Sequence, residues 1–151
     1  MGLGLALSLW IAGGDARFAN AGREAARDLH ARYHRKGTVI WFIEHWGFQY
    51  YAEKLGLIPM DRWHSELKPG QLLIWHETNS DSLILGTRME KLELVDEHFY
   101  GDGGWMHTVS VARGACFYSD RMGHLPWTVG AEPPERYIVY RVTEPIAPRP
   151  P

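Results

Sequence analysis

Residues 38–44, Thr-Val-Ile-Trp-Phe-Ile-Glu, form an apolar run closed by a charge, and the segment HWGFQYYAEKLG (45–56) follows at once. Unbroken apolar residues over this length suit a strand buried on both faces, and the segment through Leu55-Gly56 suits a helix. Residues 38–56 therefore read as the first βα turn of an α/β domain. Glu44, His45 and Trp46 fall at the carboxyl end of the strand, where open α/β sheets bind ligands. Leu57-Ile58-Pro59-Met60 suits a short strand. Pro69-Gly70 then punctuates the chain before an apolar strand that ends at Trp75, which puts His76, Glu77, Thr78 and Asn79 just beyond it. Residues 90–96 alternate polar and apolar, the pattern of a half-buried strand near a sheet edge. Tyr137 to Val142 reads as the last strand. Residues 101–104 (Gly-Asp-Gly-Gly) read as a loop, 105–120 suit helix and strand alike, and 122–127 read as irregular. The expected fold is α/β: a small mixed sheet with a long N-terminal helix and at least one further helix packed on it. Residues 15–144 form one soluble domain, 145–151 a Pro-rich tail outside the core, and no internal repeat or second-domain linker stands out.

Residues 1–12, MGLGLALSLWIA, are apolar and uncharged. As a helix rising ~1.5 Å per residue they reach roughly 18 Å, short of the ~30 Å hydrocarbon core of a bilayer. A signal-peptide core suits the composition, but no basic residue precedes it, and Ala12-Gly13-Gly14 is a poor cleavage site. A core helix with an apolar tail is a second reading. The third is the outer end of a transmembrane helix over residues 1–14. Continuity favours it: past Gly13-Gly14 the pattern turns amphipathic, with Phe18, Gly22, Ala25, Leu29 and Tyr33 recurring at helical spacing between charged residues.

Hydrophobic residues make up 45% and aromatic residues 13% of the 151, enough to build a core for one domain. Seven tryptophans is a high count for this length, and Trp favours half-wet places such as clefts and membrane interfaces. The formal net charge of −2 makes nucleic acid no obvious partner. Residues 15–36 carry a net +3, six basic against three acidic, so the rest carries −5. A basic helix on a mildly acidic body suits a surface near phosphate headgroups or an ordinary solvated face. The single cysteine, Cys116, excludes a disulfide scaffold and reads as a small buried thiol.

His30 and His34 have the i, i+4 spacing that can clamp zinc, but Arg32 and Arg35 flank them and no Glu follows His30, so no metal site is expected. The remaining histidines lack ligand spacing. No phosphate-binding glycine loop and no nucleophile elbow occurs, and no cofactor is implied. The more promising constellation is Glu44 and His45 with His76 and Glu77, at the carboxyl ends of two strands read as neighbours. With Trp46 and Trp75 these residues would line one crevice, where carboxylates accept from sugar hydroxyls and an aromatic face stacks on the ring. Charged strand ends without a ligand fit the same residues, as does a small hydrolase using Glu44, His45 and Glu77.

HWGFQYYAEKLG (45–56), LKPGQLLIW (67–75), GACFYSDRMGHLPW (114–127) and PPERYIVYRV (133–142) occur in that order. Together they resemble the C-terminal soluble region of bacterial glycosyltransferase family 39 membrane proteins, the group of the dolichyl-phosphate-mannose–protein mannosyltransferases and aminoarabinose transferases. The opening stretch resembles the end of their last membrane helix. The resemblance implies a polytopic membrane enzyme that moves a sugar from a polyprenyl-phosphate donor, with this region on the periplasmic, extracytoplasmic side. The family's essential acids lie in an early loop with no counterpart here, so no catalytic residue carries over. Arg17, Arg23 and Arg27 would by the positive-inside rule favour the cytoplasmic side; earlier helices fix orientation in such proteins. The expectation is a non-catalytic domain partnered by a membrane and by the membrane-embedded catalytic half, with a lipid-linked sugar or acceptor nearby. The alternative is a free-standing carbohydrate- or nucleotide-binding module.

Overall fold

The computed structural model describes residues 2–61, 63–79, 86–101 and 103–148, the side chains of Trp46, Thr87 and Arg121 excepted. Its first element, α1 (Gly2–Tyr33), is one helix with no break at Gly13-Gly14. A βαβ unit follows: β1 (Ile40–Ile43), α2 (Trp46–Lys54) and β2 (Ile58–Pro59). Then come β3 (Leu72–His76) and β4 (Leu92–Tyr100), the latter entered through a 3-10 turn at Gly86–Lys91. Four two-residue strands occupy the next stretch: β5 (Met106–His107), β6 (Val109–Ser110), β7 (Ala115–Cys116) and β8 (Thr128–Val129). The last strand is β9 (Glu135–Val142).

The main sheet runs β2-β1-β3-β9-β4. β1 is parallel to β2 and β3, and β9 is antiparallel to β3 and β4, so the sheet is mixed. Register sets Ile43 opposite Trp75 and His76 opposite Tyr137. The carboxyl ends of β1 and β3 and the start of β9 therefore meet at one end of the sheet.

Alternation sorts the strand residues into two cores. Ile40, Phe42, Leu72, Ile74, Tyr137 and Val139 pack beneath Ala25, Ala26 and Leu29 of α1 and Phe48 and Ala52 of α2. Ile43, Leu73, Ile138, Tyr140 and Val142 face the other way, covered by Met60, Leu67 and Ile146 with Trp41 and Trp75. The small residues of α1 let backbones close up. A Cβ on Gly22 would stand 3.0 Å from the Phe48 amide, and one on Gly14 would stand 2.6 Å from the Met106 carbonyl.

The α/β class, the 38–56 unit and the half-buried edge strand β4 match the sequence reading. Residues 105–120, which suit helix and strand alike in sequence, form short strands and turns, with β5 and β6 each pairing for only two residues. One reading is corrected. The tail is not all outside the core: Ile146 is buried and exchanges backbone hydrogen bonds with Leu67, 3.0 Å from Leu67 N–H and 2.9 Å from its own N–H. Residues 149–151 lie outside the described residues. Among the described residues no helix is long and apolar enough to cross a membrane. Residues 2–14, expected as the outer end of a transmembrane helix, are the first turns of α1, which becomes charged from Asp15 onward and packs on the sheet.

Candidate functional site

The two strand ends that the sequence brings forward do converge, and their meeting point is a buried charge array. Glu44 follows β1 on the helix-covered side, and His76 closes β3 on the same side. His76 Nδ1 donates to Glu44 Oε2 at 2.6 Å, and Nε2 donates to Glu135 Oε2 at 2.9 Å. A neutral imidazole has one N–H, so two carboxylate partners call for the imidazolium. Burial alone would push the His76 pKa down; the Glu44 charge and the hydrogen bonds to Glu135 and Glu44 outweigh it and raise it to about 9. Burial pushes the Glu44 carboxyl up, with the His76 charge opposing. His76 is 1% exposed and Glu44 5%, whereas the Glu135 side chain keeps 19%.

Aromatic rings wall the array. Tyr137 stacks on His76 at 4.2 Å and 6°, and Phe18 of α1 lies 6.3 Å away. Asn79 Nδ2 donates to the Ile43 carbonyl at 2.6 Å, tying the chain after β3 to the end of β1. A cavity of about 40 Å³ lies beside Glu135, walled by Phe18, Met106 and His107, with space for a few waters at roughly 10–15 Å³ each. The His107 ring sits 2.8 Å from the Gly104 carbonyl and 2.9 Å from that of Gly130.

The remaining sequence-chosen residues scatter. His45 is exposed at the N-cap of α2, with Nδ1 3.5 Å from Gln49 Oε1. Trp46 begins α2, and its side chain lies outside the described residues. Trp75 points to the opposite face of the sheet from His76, packing near Tyr140 at 6.5 Å, and its indole N–H has no hydrogen-bond partner among the described residues. Glu77 accepts from Arg136 Nη1 at 3.3 Å, and Arg136 holds Glu97 through both Nε and Nη2. One crevice lined by all six residues is therefore not formed. Alternation along β3 sends Trp75 and His76 to opposite faces, and the crevice reading did not apply that period past the strand's end.

The third member, Glu135, was missed. It stands in PPERYIVYRV two residues before Tyr137, hence on the same face. Only the antiparallel β3–β9 pairing brings it to His76, and no local pattern shows which strands pair. Glu77, Thr78, Ser110, Glu132, Glu135 and Arg136 share a separate open cleft of about 310 Å³, with Pro133, Pro134 and Val109 as its apolar wall. Ser110 donates to Glu132, and Arg113 pairs with it at 3.0 Å. His30, in the last turn of α1, and His34, just past its end, stack at 4.6 Å, and among the described residues no three acidic, His or Cys side chains are placed to hold a metal ion.

The array offers proton exchange only at Glu135, because α1 and the aromatic rings close off Glu44 and His76. Its evident chemistry is to lock β1, β3 and β9 together. No family model, curated protein or solved structure matches the chain.

Proposed function

We propose that this chain is a non-catalytic, membrane-seated domain of a glycosyltransferase that takes sugar from a polyprenyl-phosphate donor, lying on the extracytoplasmic side. The observation that carries the reading is α1. Its first turns, residues 2–10, are exposed on all sides, and the same unbroken helix goes on to bury Ala21, Ala25, Ala26 and Leu29 in the core. A helix built in that way suits a rigid link between lipid and a folded domain. The four sequence segments resembling family 39 enzymes supply the sugar-transfer part of the reading. The burial of Glu44 and His76 within the array supports the non-catalytic part. In this role the domain caps a membrane active site or helps to present the acceptor.

The purified chain is expected to show no turnover with a polyprenyl-phosphate sugar, and to stay with membranes through a salt wash. Transfer activity that survives repurification and vanishes in Glu135→Gln would sink the reading. A second reading, a carbohydrate-binding module, is favoured by the cleft holding Glu77, Ser110 and Glu135. Its volume reaches the ~300 Å³ at which ligand pockets begin. Saturable sugar binding lost in Glu77→Ala, by a chain that ignores membranes, would favour it over the first.

A further inference from the structure

Leu3, Leu5, Leu9 and Trp10 of α1 present large apolar surfaces to solvent. No residue from 2 to 14 is charged, and the one side-chain hydroxyl, Ser8, donates to the Gly4 carbonyl at 2.9 Å within the helix. The first charge, Asp15, accepts from Thr108 at 3.2 Å and from Tyr118. Residues 105–130 thus form a lobe seated against α1 at Gly14 and Asp15. From that lobe Phe117 reaches back along the helix. It is 62% exposed and shares a hollow of about 290 Å³ with Ser8, Ile11, Ala12, Asp15 and Thr108. Leu125, also exposed, adjoins it, its carbonyl accepting from the Cys116 N–H at 2.8 Å.

We infer that Phe117 is a second membrane anchor, entering lipid beside the uncharged turns of α1 and fixing the depth and tilt at which the domain sits. The inference rests on the proposed membrane seat of residues 2–12 and extends it to a lobe far away in sequence. The occupant follows from charge and polarity. A helix that docks in a protein groove shows one apolar stripe and a polar back. Residues 2–14 show no polar back, and their one hydroxyl is satisfied inside the helix, which is what hydrocarbon demands. Asp15 borders the hollow beside Phe117, but its carboxylate is held by Thr108 and Tyr118 of the lobe, and the other α1 residues that line the hollow, Ser8, Ile11 and Ala12, are uncharged. A single helix leaves rotation about its axis free; a ring projecting from a lobe rigidly held to that helix removes the freedom.

The test is partition of the full chain onto phosphatidylcholine vesicles by flotation. Phe117→Glu is expected to lower the partition coefficient about tenfold or more, with Phe117→Ala intermediate. Both variants should melt like the parent, because the ring is exposed. Deleting residues 2–12 should abolish flotation. A Phe117→Glu chain that floats like the parent, while the deletion does not float, overturns the second anchor and leaves the first. A deletion that floats like the parent overturns both. If Phe117→Glu instead breaks up a self-associated form in vesicle-free buffer and leaves flotation unchanged, the patch meets a second copy and the inference falls.

Discussion

Two regions of this molecule invert the usual rule that polar groups face water and apolar ones do not, and they do so in opposite senses. The Glu44–His76–Glu135 array puts charge inside. The first turns of α1 put leucine and tryptophan outside. The buried array is complete: every imidazole nitrogen meets a carboxylate, and rings close over it. The apolar tip has no partner among the described residues beyond the hollow at Phe117. A burial that is costly yet fully satisfied points to architecture, whereas an exposure left uncovered points to an encounter. Chemistry-bearing residue types alone therefore mislead about where this chain acts.

The sharpest way to break the comparison is His76→Ala. It leaves the Glu44 carboxylate buried without its partner, and it should cost ~3–5 kcal/mol in denaturant unfolding. A loss below ~1 kcal/mol would mean that the array is not closed. Alkaline pH should act next. The His76 pKa is raised in the fold, from an ordinary 6.5 to about 9. The proton's stabilising effect is thus complete below pH 6.5 and lost as pH climbs through 9. Stability should fall by on the order of 2–3 kcal/mol between those values, and the slope should vanish in His76→Ala. Across the sheet, Arg136 bridges Glu77 and Glu97 in partly exposed positions. Arg136→Ala should cost only about 0–1 kcal/mol, less still at high salt. If it matched His76→Ala, burial would not be what separates the two charge clusters. Smallest of all, Leu5→Ser at the α1 tip should leave the melting temperature unchanged, since that side chain touches water in the free domain.

Much of this was legible in the chain. The period-two and unbroken apolar runs give β1, β3 and β4. The spacing of Phe18, Gly22, Ala25, Leu29 and Tyr33 gives the buried face of α1. Parallel neighbouring strands do bring Glu44 to His76. What escaped depends on long-range pairing. Glu135 joins the array only because β9 lies antiparallel between β3 and β4. Ile146 enters the core only because it pairs with Leu67. Phe117 meets α1 only because Asp15, about a hundred positions earlier, holds Tyr118. None of these contacts leaves a local periodicity.

Hydrogen exchange on the full chain, with and without phosphatidylcholine vesicles, tests the central contrast most directly. The account predicts that lipid slows exchange at residues 2–12 and around Phe117. It predicts no change at residues 76–79, 109–112 and 132–136, around the buried array and the cleft. Protection confined to the array and cleft, with the α1 tip exchanging as it does in buffer, would contradict it.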